Sequence, residues 1–435
     1  VNKQNVTREA IIAADRAHVW HPYASIEDLE KREPLVIRRA RGAQLEDFNG
    51  KKYWDGNSSW WVASLGHNHP RLVRAIARQA ELLTHVSLAG TTHEQAALLS
   101  QELVAATPAG LNHAFYTDNG SGAVEVALRM AAQAWAQSGR PKKTRFVALD
   151  GAYHGDTLGA ASLGGIDVFT KSFAGLALEC LRAPFPEKNA YARAFEVMCD
   201  LLAREKDSIA AVVVEPIVQG ASGMRIYDPK FLKDLRAACN ENDVFLIIDE
   251  VFAGYGRTGE MWALDHAGVT PDIMCIGKTF TSIIPMAATL VTDRIFDAFR
   301  GGKEKALHYG HTFCGNPIGA ALAREVLAIF EDEKIVDQAK KNGEIVARAF
   351  ERISKIDGVE RVRSIGMIGA ADLTPTTSKG YFDDRGWRVY DEGLKRGAYL
   401  RPLGNTVYVA PPLNMLPNEL EDLLAILEAS IVATR

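Results

Sequence analysis

Polar and apolar positions along this chain follow two alternating rhythms. Residues 35–56, LVIRRARGAQLEDFNGKKYWDG, carry short alternating runs broken by Gly42 and by the turn pair Asn49 and Gly50, which predicts a small β element. From residue 71 the period lengthens to three and four, and helices are expected over RLVRAIARQAELLTHV and HEQAALLSQELVAAT. Five short apolar runs follow: HAFYT (113–117), RFVALD (145–150), AAVVVEP (210–216), VFLIID (244–249) and ATLVT (288–292). Helical segments such as GAVEVALRMAAQAWAQSG and PKFLKDLRAACNEND separate several of them. Buried strands alternating with helices predict an α/β fold whose mostly parallel sheet is covered by helices on both faces. Beyond Pro317 one long helical stretch leads into short strands around VRSIGMIGAADL and YLRPLGNTVYVAPP. The expected organisation is an N-terminal segment (1–64) joining the small domain, a large domain (65–325) and a C-terminal small α+β domain (326–435).

Composition narrows the partners. The 435 residues are 47% hydrophobic, with 50 Lys and Arg against 54 Asp and Glu and a formal net charge of -4. That is ample for a large core in two or three domains, and it offers no general attraction to nucleic acid or to an anionic membrane. Five cysteines are scattered without a CxxC pair, so neither a disulfide framework nor a structural zinc site is written. No run approaches the ~20 apolar residues of a membrane span. The segment Val1–Ala14 lacks the apolar centre of a signal peptide, and a reducing cytoplasm is the expected location. His18, His21, His67 and His69 lack a nearby third ligand and sit beside Pro22 and Pro70, so no metal is expected.

Four local clusters carry candidate chemistry. Thr117-Asp118-Asn119-Gly120-Ser121-Gly122 follows a strand and opens a helix, where free N–H groups and the helix dipole favour a phosphate; a capped turn accounts for it equally well. Asp249 ends an apolar run, the end of a parallel strand where open α/β sheets bind ligands, and a carboxylate there suits a protonated heteroaromatic nitrogen. Lys278, 29 residues later in CIGKT, is a lysine beside an apolar stretch that can form a Schiff base if desolvated, although most lysines are solvated. Gly310-His311-Thr312-Phe313 offers small and polar donors before a helix. Together a phosphate turn, a carboxylate and a lysine are what a pyridoxal phosphate enzyme needs. Tyr153, in DGAYHGDT, adds an aromatic face suited to the pyridine ring.

The segments VVVEPIVQG, IIDEVFAGYGRTG and CIGKT resemble those of class III aminotransferases, pyridoxal phosphate enzymes of fold type I. More narrowly, HVWHPY (18–23), SSWW (58–61) and RPLGNTVY (401–408) resemble the biotin-biosynthesis subfamily, over nearly the whole chain from His18 to Pro412. The resemblance implies transfer of an amino group from S-adenosylmethionine to 8-amino-7-oxononanoate, giving 7,8-diaminononanoate. The alternative it leaves open is an omega-amino acid or diamine aminotransferase using pyruvate or 2-oxoglutarate. It further implies that Lys278 binds the cofactor aldehyde and shuttles a proton, that Asp249 pairs with the pyridine nitrogen, and that Gly120 and Ser121 hold the phosphate. Tyr153 is implied to stack on the ring. His311 and Thr312 match a pair given by a neighbouring subunit, which implies a homodimer with shared sites. Arg401 matches the group that takes the substrate carboxylate, and Tyr23, Trp60 and Gly310 match substrate-pocket positions, with Tyr23 near the amino donor. The alternative readings are core packing for Trp60 and Trp61, about one time in three, a packed ring for Tyr23, and a surface ion pair for Arg401.

Two departures from the family pattern stand out. After Lys278 the chain reads Thr279-Phe280-Thr281-Ser282-Ile283-Ile284-Pro285, without the usual glycines and one residue shorter, so a reshaped loop is expected. His311 stands where the subfamily usually has proline. A dinucleotide pattern, Gly254-Tyr255-Gly256-Arg257-Thr258-Gly259, raises a nicotinamide oxidoreductase as a rival, but its glycines begin five residues after Asp249 and the segment beyond Gly259 is short and closes at a proline. In the aminotransferase reading that loop borders the site, with Arg257 orienting substrate.

Overall fold

A computed structural model describes residues 6–375 and 380–435. The N-terminal alternating segment folds as three antiparallel strands, β1 (Ile37–Arg41), β2 (Gln44–Asp47) and β3 (Lys52–Asp55). The central sheet is built from β4 (Leu111–Thr117), β5 (Arg145–Leu149), β6 (Cys180–Ala183) and β7 (Ile209–Val214). A short hairpin, β8 (Val218–Gln219) and β9 (Arg225–Ile226), follows β7, and β10 (Phe245–Asp249), β11 (Ile273–Ile276) and β12 (Ala287–Thr292) complete the sheet. Its order is β4-β12-β11-β10-β7-β5-β6. Only β12 runs against the rest, pairing antiparallel with both β11 and β4. The expected mostly parallel sheet is therefore present, with ATLVT as its single reversed strand. β6 escaped the hydrophobic pattern because an edge strand of four residues, three of them half-buried, carries little signal.

Apolar side chains fill both faces of this sheet. Ile209 to Val214 and Phe245 to Ile248 are buried throughout, as a strand covered on two sides requires. The helix Gly120–Gln137 packs its alanine and valine face on one side, against Val213, Ile247 and Ala287. On the other side Val212, Leu246 and Ile248 join the larger core with Phe231, Leu235 and Trp262.

The C-terminal part contains β13 (Val359–Ile365), β14 (Ile368–Leu373), β15 (Ala398–Tyr399) and β16 (Thr406–Val409). β13, β14 and β16 form an antiparallel sheet, whereas β15 pairs in parallel with β3 and so joins the two ends of the chain. The long helical stretch after Pro317 is two helices, Pro317–Asp332 and Ile335–Ile353, because Lys334 adopts a left-handed φ of 51° between them. Arg363 of β13 donates to the carbonyls of Gly223 and Met224 and to Asp372, tying the C-terminal sheet to the loop after β8. Its side chain is largely buried, so truncation leaves two carbonyls short of a charged donor. Arg363→Ala is expected to cost about 2 kcal/mol, read as a lower midpoint of urea unfolding with the cofactor site intact.

Candidate active site

β7 and β10 carry their carboxylates to the same end of the sheet. Asp249 is the last residue of β10, and Glu215 directly follows β7. Both are buried, at 5% and 6% exposure. Asp249 accepts from Val251 N (3.0 Å) and pairs with His154 Nδ1 (2.7 Å). Glu215 accepts from Tyr153 N (3.1 Å) and Gly220 N (2.9 Å), and burial raises its pKa to about 7 against the lowering effect of His154. His154 is fully enclosed, and its Nε2 has no hydrogen-bond partner.

These groups line a cavity of about 450 Å³ with Trp61, Asn119, Gly120, Ser121, Tyr153, Asp156 and Lys278. Lys278 stands just past β11, held at a left-handed φ of 47°, a conformation that costs energy for any residue with a Cβ. Its Nζ lies 5.0 Å from the centre of the Trp61 ring. Burial lowers the pKa of the amine, and the fields of Asp249, Glu215 and Asp156 oppose that shift. The amine therefore loses its proton at a lower pH than a solvated lysine does, which a Schiff-base nucleophile requires.

One wall of the cavity is made for close approach. Asn119 caps the helix Gly120–Gln137 by accepting from Gly122 N (2.7 Å), leaving the first N–H groups facing the cavity. A Cβ on Gly120 would stand 2.5 Å from Val251 Cγ1, and one on Gly155 would stand 2.3 Å from Ser121 Cβ. Ser121 Oγ accepts from Thr157 N at 2.8 Å, fixing that hydroxyl at the helix start.

Around the opening stands a polar aromatic group. Tyr23 donates to Asp156 (2.7 Å) and lies 3.1 Å from the Tyr153 hydroxyl, which itself reaches Asp156 at 2.7 Å. Burial raises both phenol pKa values, so both hydroxyls stay protonated. The Trp60 ring meets Tyr23 edge-on at 5.4 Å, and the Arg401 guanidinium lies 4.6 Å from the centre of that indole. Arg401 does not line the 450 Å³ cavity but an adjoining one of about 480 Å³. Gly310, His311 and Thr312 line neither; His311 Nε2 stands 3.7 Å from Asp118 Oδ1, beside the helix start.

Lys278, Asp249, Gly120, Ser121 and Tyr153 thus share one cavity, and Tyr23, Trp60 and Arg401 form a chain leading from it. Sequence reasoning passed over His154, Asp156, Glu215 and the position of Trp61. Glu215 carried the same signal as Asp249, an acid closing an apolar strand, and His154 and Asp156 flank Tyr153 in DGAYHGDT. Arg257 corrects an expectation. It is buried, donates to Pro411 O (2.6 Å) and Ser64 Oγ (3.1 Å), and does not line the cavity. Ser64 in turn meets Thr279 Oγ1 at 2.6 Å, so the guanidinium anchors the turn beside Lys278. In the loop after Lys278, Ser282 holds φ 59° with its hydroxyl on Thr279 O (3.0 Å), a conformation that glycine adopts without strain.

Two grooves of about 850 and 860 Å³ are nearly twice as large, but the first lies among helices laced by the Arg324–Glu102 ion pair, and the second is an open cleft around Arg32 and Asp391. Neither contains a buried amine. The 450 Å³ cavity fits pyridoxal phosphate in its donor set: an amine on its floor, an acid for the ring nitrogen, and a helix start without obstructing Cβ atoms. Gly155→Ala should weaken pyridoxal phosphate binding at least tenfold, measured by equilibrium dialysis, because the new methyl displaces Ser121. Capture of the cofactor by the apoenzyme should speed up with rising pH and level off below 10.5, since burial lowers the pKa of Lys278; a rate still climbing at pH 10.5 would contradict the buried position.

Comparison with known proteins bears on this geometry. The aminotransferase class-III family model matches residues 26–431. An adenosylmethionine-8-amino-7-oxononanoate aminotransferase of Geobacter sulfurreducens is 39% identical, with 96% of each chain covered. The crystal structure of the enzyme of the same name from Methanocaldococcus jannaschii superposes with a TM-score of 0.94 at 32% identity, covering 98% of this chain and 99% of that one. An omega-transaminase of Thermomicrobium roseum gives the same TM-score at 26% identity, with 99% and 100% covered. The chain belongs to the class III aminotransferases, pyridoxal phosphate enzymes of fold type I.

Proposed function

We propose that this enzyme moves the amino group of S-adenosylmethionine to the ketone of 8-amino-7-oxononanoate, forming 7,8-diaminononanoate for biotin synthesis in the cytoplasm. The observation that carries the reading is one buried amine, Lys278, in the same cavity as Asp249, with Arg401 presented on Trp60 one aromatic step away. Relatives bearing that enzyme's name at 39% identity over almost the full chain support the choice of substrates.

Bound in the cavity, pyridoxal phosphate supplies the electron sink and carries nitrogen between the two half-reactions. The chain's own residues do the rest. Lys278 Nζ would hold the cofactor aldehyde and would move a proton at the donor carbon, a role that the lowered pKa of its buried amine favours. Asp249 would keep the ring nitrogen protonated, and His154 Nδ1 orients that carboxylate. Gly120 and Ser121 would hold the phosphate, and Tyr153 would cover the ring. His311 and Thr312 complete the phosphate site of a second copy in a homodimer, with Gly310 on its substrate wall. Tyr23 and Trp60 form the donor side, where aromatic faces suit a sulfonium cation. Arg401 takes the substrate carboxylate through paired N–H donors.

A second reading, an omega-amino acid or diamine aminotransferase, draws on the equal TM-score of the Thermomicrobium roseum enzyme and on His311. Mass detection of 7,8-diaminononanoate from S-adenosylmethionine and 8-amino-7-oxononanoate separates the two; no product with that pair, but turnover of pyruvate with a diamine, selects the second. Lys278→Ala should lower turnover on the order of a thousandfold or more without loss of fold. Arg401→Ala should raise KM for carboxylate-bearing substrates roughly 10- to 100-fold, the worth of a charged hydrogen-bond pair. Equal losses for an acid substrate and its amide would make Arg401 structural.

A further inference from the structure

Between β3 and the helix that starts at Pro70 the backbone does something L-residues avoid. Ser58, Ser59, Trp60 and Trp61 have φ of 47°, 45°, 66° and 72°, four consecutive left-handed residues without a glycine. Trp61 N bonds Asn57 O (2.8 Å) and Val62 N bonds Ser58 O (3.0 Å), closing a left-handed turn. Each residue crowds its Cβ against a carbonyl, so the turn persists only because its surroundings hold it.

The holder is Asp55, the last residue of β3, which is fully buried. Its Oδ2 accepts from Ser59 Oγ (2.9 Å) and meets His67 Nε2 (2.8 Å), while Oδ1 accepts from Asn57 N (3.2 Å). Ser59 Oγ and His67 Nε2 use the same carboxylate oxygen and lie 3.5 Å apart, so the three do not form a proton relay. They form a clamp. Asn57 extends it, because its Oδ1 accepts from the backbone N of Arg401 at 2.7 Å. Arg401 is thereby fixed at its backbone by one end of the turn and at its guanidinium by the Trp60 ring. Beside the indole, the guanidinium already has a side-chain hydrogen bond to Tyr381, and its Nη1, buried without a partner, is the donor left for a carboxylate.

We propose that Asp55, through Ser59 and His67, is the positioning residue for carboxylate recognition: it holds the left-handed turn that sets Trp60 beneath Arg401. The inference rests on the reading that Arg401 binds the substrate carboxylate. Asp55 touches no substrate and acts only through the turn.

The test compares 8-amino-7-oxononanoate with its primary carboxamide in the holoenzyme, as the ratio of kcat/KM for acid over amide. Ser59→Ala removes the hydroxyl from Asp55 and keeps the strain; it is expected to lower that ratio about tenfold, through KM, with kcat within twofold. Ser59→Gly removes the same hydroxyl but also the Cβ crowding, and should recover at least half of the loss on a logarithmic scale. Asp55→Asn, whose single oxygen can accept from Ser59 only by turning its amide nitrogen toward the Asn57 N–H, should lower the ratio at least as far as Ser59→Ala. An unchanged ratio in Ser59→Ala beside a collapsed ratio in Arg401→Ala overturns the positioning role and leaves the Arg401 reading standing. No discrimination between acid and amide in the parent enzyme overturns both. Equal losses for acid and amide in Ser59→Ala, or a lower Tm with an unchanged ratio, reduce the clamp to a structural one.

Discussion

The enclosure of one amine is the constraint on which this structure depends. Lys278 has to be dry enough to shed its proton, yet close enough to acids that the site can still handle charge, and burial and the acids pull its pKa in opposite directions. Burial is the larger effect. It arises because Lys278 stands beyond a fully buried strand, with Trp61 beside it and the turn behind it pinned by Ser64 and Arg257. An isolated lysine placed this way would be a liability. Here burial favours the neutral amine, and Asp249 and Glu215 temper that effect without reversing it.

The acids are kept in distinct roles by their surroundings. Asp249 is engaged by His154, whereas Glu215 is held by two backbone N–H groups and pushed by burial to about 7. Glu250, next in sequence to Asp249, points away and accepts from Ala263 N and Leu264 N, with burial raising it to about 8. Of these neighbouring carboxyls, only Asp249 and Glu215 reach the cavity. Strain is distributed by the same logic. Tyr23, the run Ser58 to Trp61, and Lys278 all hold left-handed backbones, and each presents a side chain to the site or its rim.

Much of this was legible in the residues themselves. The sheet could be read because strands covered on both faces are continuous apolar runs, and Asp249 and Lys278 could be read because they close such runs. The reversed direction of β12 was not legible, since direction leaves no trace in a short apolar segment. β6 was too polar and too short. The break at Lys334 lay in a sequence with helical spacing on both sides, and only the backbone shows it. Trp60 and Trp61 were visible as aromatics, but their division of labour was not: the left-handed turn sends one ring to the cavity and the other to Arg401. His154 was hidden for a different reason, because its partner is 95 residues away in sequence. Arg257, conspicuous within a glycine-rich pattern, proved to be an internal brace.

The proposed function stands on the Lys278 cavity accepting S-adenosylmethionine as its amino donor. The most direct test is the visible spectrum of the cofactor-loaded enzyme, titrated separately with S-adenosylmethionine, lysine and alanine. S-adenosylmethionine is expected to convert the lysine-bound cofactor band to that of the aminated cofactor, while lysine and alanine leave it unchanged. Conversion by lysine or alanine but not by S-adenosylmethionine would contradict it.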